Sequence, residues 1–381
     1  MKVDLTINKS RGVHRTEIEW ADYSANPIRA RDRVTGEVGW ACRKVSAGCA
    51  NCYAEALNKR FGTKHPYTAA GLGQVEQVLD EGVLRKLLTM RPRGPFKNGR
   101  ERPAVFLGDM MDLFYGDEAD ERAAKAAGVP FAPIPFEMLD PIFAVIALRT
   151  DMDILVLTKR PGRMREYLES RKPTKSDRSV PPEWLSQMND WRDPKSGNWS
   201  TLSSRAVPQP NRIQFPLANF WGGTSVESDE VIDRVDEVRR CPLAVRFLSC
   251  EPLIGPLTLR RVPIASDRTL DSLTGTLRTL HVVEGRDYGI DWVIVGGESG
   301  RGARPCDLAW IRGVVEQCRE AKVPCFVKQL GSNPLATLAE TGTDETDDDN
   351  VERLELDDPK GGDPAEWPED LRVRKMPGGG Q

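Results

Sequence analysis

The sequence predicts an α/β protein whose core is a partial parallel (β/α) barrel of the TIM-like type. Two observations support this fold class. Short, continuously apolar runs, which are typical of strands buried on both faces, alternate with segments of helical periodicity. Polar residues also follow the carboxyl end of each run, and in a parallel barrel that end carries the active site.

The predicted elements follow one another in a regular order. Because alternating strands and helices form parallel crossover units, they favour one barrel domain over residues 1–335. The predicted strands are 104–112, 153–160, 220–226, 245–251, 291–299 and 324–330. The predicted helices are 76–89, 135–149, 227–240 and 307–321.

The residues that follow these strands are predicted to converge at the mouth of the barrel. Any one of them fits a solvated loop equally well, so the repetition over six strands carries the prediction. Cations among them could bind a carboxylate, a phosphorylated substrate or a nucleic-acid backbone, or could simply pair with neighbouring acids. The residues are Asp109, Asp112, Thr158, Lys159, Arg160, Ser225, Glu227, Glu251, Glu298, Ser299, Lys328 and Gln329.

Three regions depart from the alternation of strands and helices. Residues from about 168 to 215 are rich in proline and tryptophan, so we predict a polar insertion on a barrel loop. Its tryptophans, Trp184, Trp191 and Trp199, either stack on a base or anchor the insertion, and anchoring is favoured because buried aromatics usually pack. Residues 336–359 are predicted to be an acidic flexible segment, and residues 360–381 a segment that docks on the barrel.

Composition sets broader limits. The chain is 39% hydrophobic and 29% charged, which is typical of a globular protein, and no apolar run approaches the roughly 18 residues of a membrane span. The N-terminus has no apolar signal core, so a cytoplasmic location without a membrane partner is the default expectation. The net charge is −3, yet residues 340–370 hold 14 acidic and two basic residues. The rest of the chain is therefore mildly basic, which is compatible with a nucleic-acid partner.

Three cysteines point most directly to chemistry. Cys42, Cys49 and Cys52 have the spacing C-x6-C-x2-C. A closed structural zinc site uses four ligands, whereas a [4Fe–4S] cluster bound by three cysteines keeps one iron open for a substrate or cofactor. Two alternatives remain: a zinc site with His65 or a distant cysteine such as Cys250 as the fourth ligand, and a redox-active set of thiols.

With this cysteine loop ahead of a predicted barrel, the chain resembles the radical S-adenosylmethionine (radical SAM) superfamily. It resembles more closely a phage-associated three-cysteine family of unassigned function. The resemblance spans nearly the whole chain. The matching segments are Ile18-Glu-Trp-Ala-Asp22, Asn26-Pro27, Gly48-Cys-Ala-Asn-Cys-Tyr-Ala-Glu55, Gly108-Asp-Met-Met-Asp-Leu-Phe114, Leu157-Thr-Lys-Arg160, Trp292-Val-Ile-Val-Gly-Gly-Glu-Ser-Gly300, Ala303-Arg-Pro305, Phe326-Val-Lys-Gln-Leu-Gly331 and Trp367-Pro-Glu-Asp-Leu-Arg-Val-Arg374.

The resemblance implies a [4Fe–4S] cluster held by Cys42, Cys49 and Cys52, with Tyr53 beside the cluster or beside SAM. The open iron would chelate SAM, and one electron from a donor such as a flavodoxin or ferredoxin would cleave its carbon–sulfur bond. The resulting 5′-deoxyadenosyl radical would abstract a hydrogen from the substrate. In this chemistry the cofactors supply the reactivity, and the protein positions and shields it.

Two departures from the superfamily pattern guide the remaining assignments. The first cysteine gap is six residues instead of three, and the Gly-Gly-Glu segment that usually follows the second strand occurs late, at 296–298. We therefore assign the SAM amino group to the segment after the second strand, the ribose or carboxylate to the middle strand, and the late strands to the substrate. The cofactor-binding candidates are Tyr53, Gly108, Asp109, Met110, Asp112, Lys159, Ser225 and Glu227, and the catalytic candidates are Glu251, Glu298 and Lys328.

The expected substrate is a nucleic-acid base or nucleotide, which the enzyme would modify or repair. This expectation comes from the phage setting of the family and from its distant likeness to spore photoproduct lyase. An enzyme that acts on a base must extrude it from the stack, and the insertion could assist that step. The competing hypothesis is a non-catalytic zinc or iron–sulfur protein that binds nucleic acid.

Overall fold

The computed structural model describes residues 12–173, 180–190, 213–279, 283–337 and 351–378. The strands are β1 (Val13–Arg15), β2 (Tyr23–Ala25), β3 (Ile28–Asp32), β4 (Val38–Gly39), β5 (Val75–Leu79), β6 (Ala104–Leu107), β7 (Asp153–Thr158), β8 (Phe220–Ser225), β9 (Val245–Cys250), β10 (Val262–Ala265), β11 (Arg268–Asp271), β12 (Thr276–Thr279), β13 (Val283–Arg286), β14 (Trp292–Gly296), β15 (Cys306–Asp307), β16 (Cys325–Gln329), β17 (Pro334–Thr337) and β18 (Val351–Arg353). The helices are α1 (Tyr53–Phe61), α2 (Ala69–Gly73), α3 (Glu81–Thr89), α4 (Glu118–Ala126), α5 (Phe136–Leu148), α6 (Pro161–Ser170), α7 (Pro182–Asp190), α8 (Asp233–Arg239) and α9 (Leu308–Ala321).

A large, mostly parallel sheet with the strand order β1-β2-β6-β7-β8-β9-β14-β16 dominates the structure. The pairs β2–β6, β6–β7, β9–β14 and β14–β16 are parallel, and β1–β2 is antiparallel. The mixed α/β class is therefore confirmed. Among the described residues, no pairing between β1 and β16 closes this sheet into a barrel.

The chain divides into two compact units. The first consists of Met1–Val45, Cys52–Gly222 and Cys241–Ala244, and the second of Ser46–Asn51, Gly223–Arg240 and Val245–Gln381. The short segment Ser46–Asn51, which carries the middle cysteine of the motif, thus belongs to the second unit, whereas the chain on either side of it belongs to the first.

The core of the first unit forms around β6 and β7, whose residues are almost all buried. Continuous burial explains why these strands are apolar on both faces. Helix α5 is buried from Leu139 to Leu148, and α3 buries Val83, Leu84, Leu87 and Leu88. A small antiparallel sheet of order β4-β3-β5 adds to this unit.

The core of the second unit forms around β9, β14 and β16. Ile294 lies opposite Ser249 on one side and Phe326 on the other. Helix α9 buries Leu308, Ile311, Val314 and Cys318, the three-to-four-residue spacing that places side chains on one helical face. The sheets β10-β11-β12-β13 and β15-β17-β18 also belong to this unit.

The C-terminal residues pack against β16 within the second unit. The backbone amide of Val327 donates to the carbonyl of Val373 at 2.7 Å. Trp367 is only 1% exposed, and its indole Nε1 donates to the carbonyl of Gly361 at 3.0 Å. Within the segment predicted to be acidic and flexible, β18 pairs antiparallel with β17, and residues 338–350 lie outside the described residues.

Most of the predicted strands and helices are confirmed. All six predicted strands are present, and the helices predicted at 135–149 and 307–321 correspond to α5 and α9. The helix predicted at 76–89 is wrong in its first part, because residues 75–79 form the strand β5, which pairs with β3. Helix α3 begins after Asp80, and the Asp80 carboxylate caps it by accepting from the Val83 amide at 3.1 Å. The helix predicted at 227–240 is shorter and covers only α8. Among the described residues, no helix is long and apolar enough to cross a membrane.

The one tryptophan of the predicted insertion that the structure describes is buried. Trp184 on α7 is fully buried, its ring stacks on Phe143 at 5.3 Å between centroids, and its Nε1 donates to the Tyr167 hydroxyl at 2.9 Å. These contacts anchor α7 to α5 and α6 within the first unit. Trp191 and Trp199 lie outside the described residues.

We predict that Trp184→Ala lowers the free energy of unfolding by about 3–5 kcal/mol, because it removes a large buried side chain from this aromatic cluster. Trp184→Phe should cost less, about 1–2 kcal/mol, since it keeps a ring against Phe143 and loses mainly the hydrogen bond to Tyr167. Urea unfolding measures both values. An alanine variant as stable as wild type would contradict the anchoring role.

Candidate cysteine-loop site

The three cysteines of the motif lie on a short loop and at the start of a helix. Ala47–Cys49 form one turn of 3-10 helix, in which the Cys49 amide donates to the Ser46 carbonyl at 3.0 Å. Cys52 is the residue that precedes α1. These three thiols are partly exposed, whereas the other five cysteines are buried. The motif cysteines are therefore the accessible ones.

Cys42 and Cys52 share one environment within the first unit. Both pack, together with Trp40, against a buried cluster of Ala54, Tyr67 and Met110. Burial raises the pKa of the Tyr67 hydroxyl, and negative charge on the two cysteines raises it further. The hydroxyl thus stays protonated, and it donates to the Met110 carbonyl at 2.8 Å.

The loop after β6 carries the predicted cofactor residue Asp109. Gly108 begins this loop with a φ of +82°, in the left-handed region that favours glycine. Asn26 Nδ2 donates to Asp109 Oδ1 at 2.6 Å, and the Tyr53 hydroxyl donates to the Asp109 carbonyl at 2.6 Å. Because Tyr53 is the first residue of α1, its hydrogen bond ties this loop to the start of that helix, directly after Cys52. Burial raises the pKa of Asp109, and the bond from Asn26 offsets this only in part.

Asp112, another predicted cofactor residue, is fully engaged by the protein. Its Oδ1 accepts from the Thr158 hydroxyl at 2.7 Å and from the Phe114 amide at 2.9 Å. Its Oδ2 accepts from the Lys159 amide and from Arg160 Nη1, both at 2.9 Å. A carboxylate accepts about four hydrogen bonds, so this one is saturated and joins the ends of β6 and β7.

Arg43, the residue after Cys42, is held by the buried carboxylate of Asp120. Arg43 Nε lies 2.5 Å from Asp120 Oδ1, and Arg160 donates to the same carboxylate through Nε and Nη2. Burial alone would raise the pKa of Asp120, but the hydrogen bonds from Arg160 and Arg43 outweigh it and lower that pKa. Arg43 therefore anchors the first cysteine of the motif through a buried ion pair.

Within the second unit, Glu227 holds the beginning of the segment Ser46–Asn51. Glu227 is 1% exposed, and its Oε1 accepts from the Ser46 hydroxyl at 2.9 Å. Arg234 Nη1 donates to Glu227 Oε2 at 3.1 Å and to the carbonyl of Ser225 at 3.0 Å. A Cβ on Gly48 would lie 2.3 Å from Cγ and Oε1 of Glu227, so only glycine fits there.

Glu298, together with Arg304, holds the same segment at Asn51 and Ala47. Arg304 makes a fork to it, with Nε 2.9 Å from Oε2 and Nη2 2.7 Å from Oε1. Asn51 Nδ2 donates to Oε2 at 3.0 Å, and Arg304 Nη1 donates to the Ala47 carbonyl at 2.9 Å. Burial opposes ionisation of Glu298, but the bonds from Arg304 and Asn51 outweigh it and lower the pKa of this carboxyl.

The other two predicted catalytic residues lie together. Lys328 Nζ is 2.6 Å from Glu251 Oε1, to which Gln329 Nε2 also donates at 3.2 Å. Glu251 follows the end of β9, and Lys328 lies near the end of β16, two parallel strands of the second unit. The sequence-based expectation that strand ends bring polar residues together thus holds for this pair.

Of the residues considered for a fourth zinc ligand, His65 pairs with an aspartate and Cys250 is buried. His65 Nε2 lies 2.5 Å from Asp32 Oδ2, and Cys250 is fully buried, where loss of solvation raises its thiol pKa and a neighbouring Cys318 adds to the effect. Within the described ranges, no group of three or more His, Cys, Asp or Glu side chains is arranged to hold a metal ion.

Sequence reasoning missed the residues that hold the loop in place. Ser46 and Asp120 lie in no strand-end pattern, and Asn26 and Asn51 lie within segments that were quoted only for the resemblance. The available signal was local. A glycine directly before the middle cysteine, with hydrogen-bonding side chains on either side of that pair, indicates a turn fixed by its neighbours.

We predict that Gly48→Ala lowers the free energy of unfolding by about 1–3 kcal/mol, because the new Cβ must displace the buried Glu227 carboxylate. Gly313→Ala on α9 is the matched control, since a Cβ there meets nothing within 4 Å and alanine favours the helix. Equal stability of the two variants in urea would show that Gly48 is not closely packed.

We also predict that Asp112→Asn destabilises the protein by about 2–4 kcal/mol. The variant leaves the buried Arg160 with only the Asp120 carboxylate, which it shares with Arg43. Asp109→Asn should change stability by less than about 1 kcal/mol, because burial already disfavours the ionised form of Asp109. Thermal and urea unfolding compare these isosteric variants. The reverse order of effects would contradict the structural role of Asp112.

No curated protein and no solved structure matches the chain. A family model described as "Protein of unknown function (DUF5131)" matches residues 15–352, which is most of the chain. The chain therefore belongs to the DUF5131 family.

Proposed function

We propose that this protein is a radical SAM-type iron–sulfur enzyme. The observation that carries the proposal is the separation of its cysteines into two classes: Cys42, Cys49 and Cys52 are partly exposed and close in sequence, and the other five are buried. Three thiols this close in sequence are the donors that a [4Fe–4S] cluster with one open iron uses. The proposal rests on their spacing and exposure, because the described residues are not arranged as a metal site.

Local features of these cysteines suit such a ligand set. Cys42 and Cys52 pack against the same cluster of Ala54, Tyr67 and Met110. Apolar residues around a metal centre limit the access of solvent to it. Cys52 precedes the first turn of α1, where the partial positive charge of the helix end stabilises a thiolate. Arg43, next to Cys42, is fixed by the buried Asp120. In this proposal the three thiolates hold the cluster.

The cofactor chemistry assigns roles to other residues. A cluster of this kind, with SAM bound, supplies a 5′-deoxyadenosyl radical for hydrogen abstraction. Asp109 would bind the SAM amino group, because a desolvated carboxylate gains most from a cationic partner. Tyr53 holds the loop of Asp109 in place through its hydrogen bond to the Asp109 carbonyl. Lys159 and Ser225 stay predicted contacts for the SAM carboxylate or ribose, whereas the predicted contact Glu227 is engaged by Ser46 and Arg234.

The substrate side would use the pair Glu251 and Lys328. A carboxylate and an ammonium joined at 2.6 Å can pass a proton between them or to a bound group, which suits general acid–base work at strand ends. We propose a nucleic-acid base or nucleotide as the substrate and a flavodoxin- or ferredoxin-like electron donor. The mildly basic character of the chain outside residues 340–370 supports a polyanionic partner.

We also propose that the parallel sheet curves as a partial barrel. Polar residues follow the carboxyl ends of its strands, and in a parallel barrel those ends carry the active site.

We predict that anaerobic reconstitution gives a brown protein with about four irons per chain and broad absorbance at about 400 nm. A variant with Cys42, Cys49 and Cys52 all replaced by serine should take up no cluster, while Cys306→Ala, which changes a buried thiol, should bind as wild type. A wild-type protein that is colourless and holds one zinc would contradict the proposal and favour a zinc-binding protein.

The catalytic part of the proposal has a separate readout. The reduced, reconstituted protein should convert SAM to 5′-deoxyadenosine, and the triple serine variant should not. An intact cluster with no such product would contradict the enzymatic proposal and leave a binding or electron-transfer role. Adding a short single-stranded oligonucleotide tests the substrate class, because the proposal expects it to increase the rate of SAM consumption.

A further inference from the structure

We infer that Glu298 is a positioning residue for Cys49 and not a group that touches the substrate. The inference rests on the proposed function insofar as it treats Cys49 as a cluster ligand. Both carboxylate oxygens of Glu298 are already engaged by the protein, and the side chain is 7% exposed. Of the groups bound to these oxygens, Asn51 lies in the segment 46–51 and Arg304 donates to the Ala47 carbonyl of that segment.

The Glu298 carboxylate fixes the loop at one point on each side of Cys49. Asn51, two residues after Cys49, donates to Oε2 at 3.0 Å. Ala47, two residues before it, accepts from Arg304 Nη1 at 2.9 Å, and Arg304 is itself oriented by its two bonds to Glu298. A planar guanidinium bound by two parallel hydrogen bonds has little freedom to rotate. One buried carboxylate therefore sets both flanks of Cys49.

A second carboxylate holds the beginning of the same segment independently. The Ser46 hydroxyl donates to Glu227, and Gly48 lies against the Glu227 side chain so closely that a Cβ would not fit. Within the segment, the amides of Cys49 and Ala50 donate to the carbonyls of Ser46 and Ala47, both at 3.0 Å. The segment is thus held at Ser46, Ala47, Gly48 and Asn51 as well as by its own backbone bonds.

This arrangement matches what a ligand loop requires. A metal ligand binds well only when its backbone is held near the productive position by residues outside the coordination sphere. Glu298 and Arg304 therefore fix the backbone on both sides of Cys49.

Hydrogen exchange tests the inference without any bound iron. In Glu298→Gln, we expect amide exchange in the peptide that covers 46–51 to rise about tenfold, because charge-assisted bonds to Arg304 and Asn51 are lost. Exchange in α1, which belongs to the first unit, should not change. The matched control is Glu316→Gln, since Glu316 pairs with Arg319 on the exposed face of α9 in the same unit as Glu298.

Unchanged exchange at 46–51, or an equal increase at 46–51 and in α1, would overturn the inference, because the second pattern is that of general destabilisation. If Glu298→Gln does not fold, Asn51→Ala removes the bonds from Asn51 to Glu298 and to the Gly302 carbonyl and should raise exchange at 46–51 alone. In reconstituted protein, Glu298→Gln should lose iron to a chelator about tenfold faster than Glu316→Gln. Wild-type protein that takes up no iron would refute the proposed cluster, and the exchange result would still decide the positioning role.

Discussion

The fork between Glu298 and Arg304 is the interaction on which the candidate site depends. It links a carboxylate after β14 to a six-residue segment that lies about 250 positions earlier in the chain. Without it, the Ala47 carbonyl would lose its bond from Arg304, and Asn51 Nδ2 would lose one of its two acceptors, the other being the Gly302 carbonyl at 3.1 Å. A short turn held mainly by its own bonds is marginally stable in water, so the position of Cys49 is a property of the folded second unit.

The same physical rule explains most of the polar residues at the strand ends. A buried carboxylate is tolerated only with a paired cation and further hydrogen bonds, because the cost of removing it from water is several kcal/mol. Asp112 and Asp120 meet this requirement through Arg160, Glu227 through Arg234, and Glu298 through Arg304. These acids therefore serve to join loops to strands. Asp109 differs, because its main partner is the neutral side chain of Asn26, and it is accordingly the acid best suited to receive a cationic ligand.

The parallel sheet could be predicted from the sequence because its strands are buried on both faces, and a short apolar run such as Trp292–Gly296 is typical of such strands. Prediction failed where a strand is only half buried. Of residues 75–79, which pair with β3, only Val75 and Val78 are buried, and this three-residue spacing also fits a helix that continues into α3. The antiparallel sheet β10-β11-β12-β13 was missed for the same reason, since its strands are short and partly polar. For the site, spacing identified the accessible cysteines, but the pairing of Asn51 with Glu298 depends on tertiary contact over a long sequence separation, which local patterns do not encode.

The central claim is that the accessible thiols hold a four-iron cluster in which one iron has no protein ligand. Mössbauer spectroscopy of protein reconstituted with 57Fe, recorded with and without SAM, tests it most directly. We expect about one quarter of the iron signal to change its parameters when SAM is added, because only the open iron can bind it. A spectrum in which all four irons are unaffected by SAM, or a protein without iron, would refute the proposed cluster.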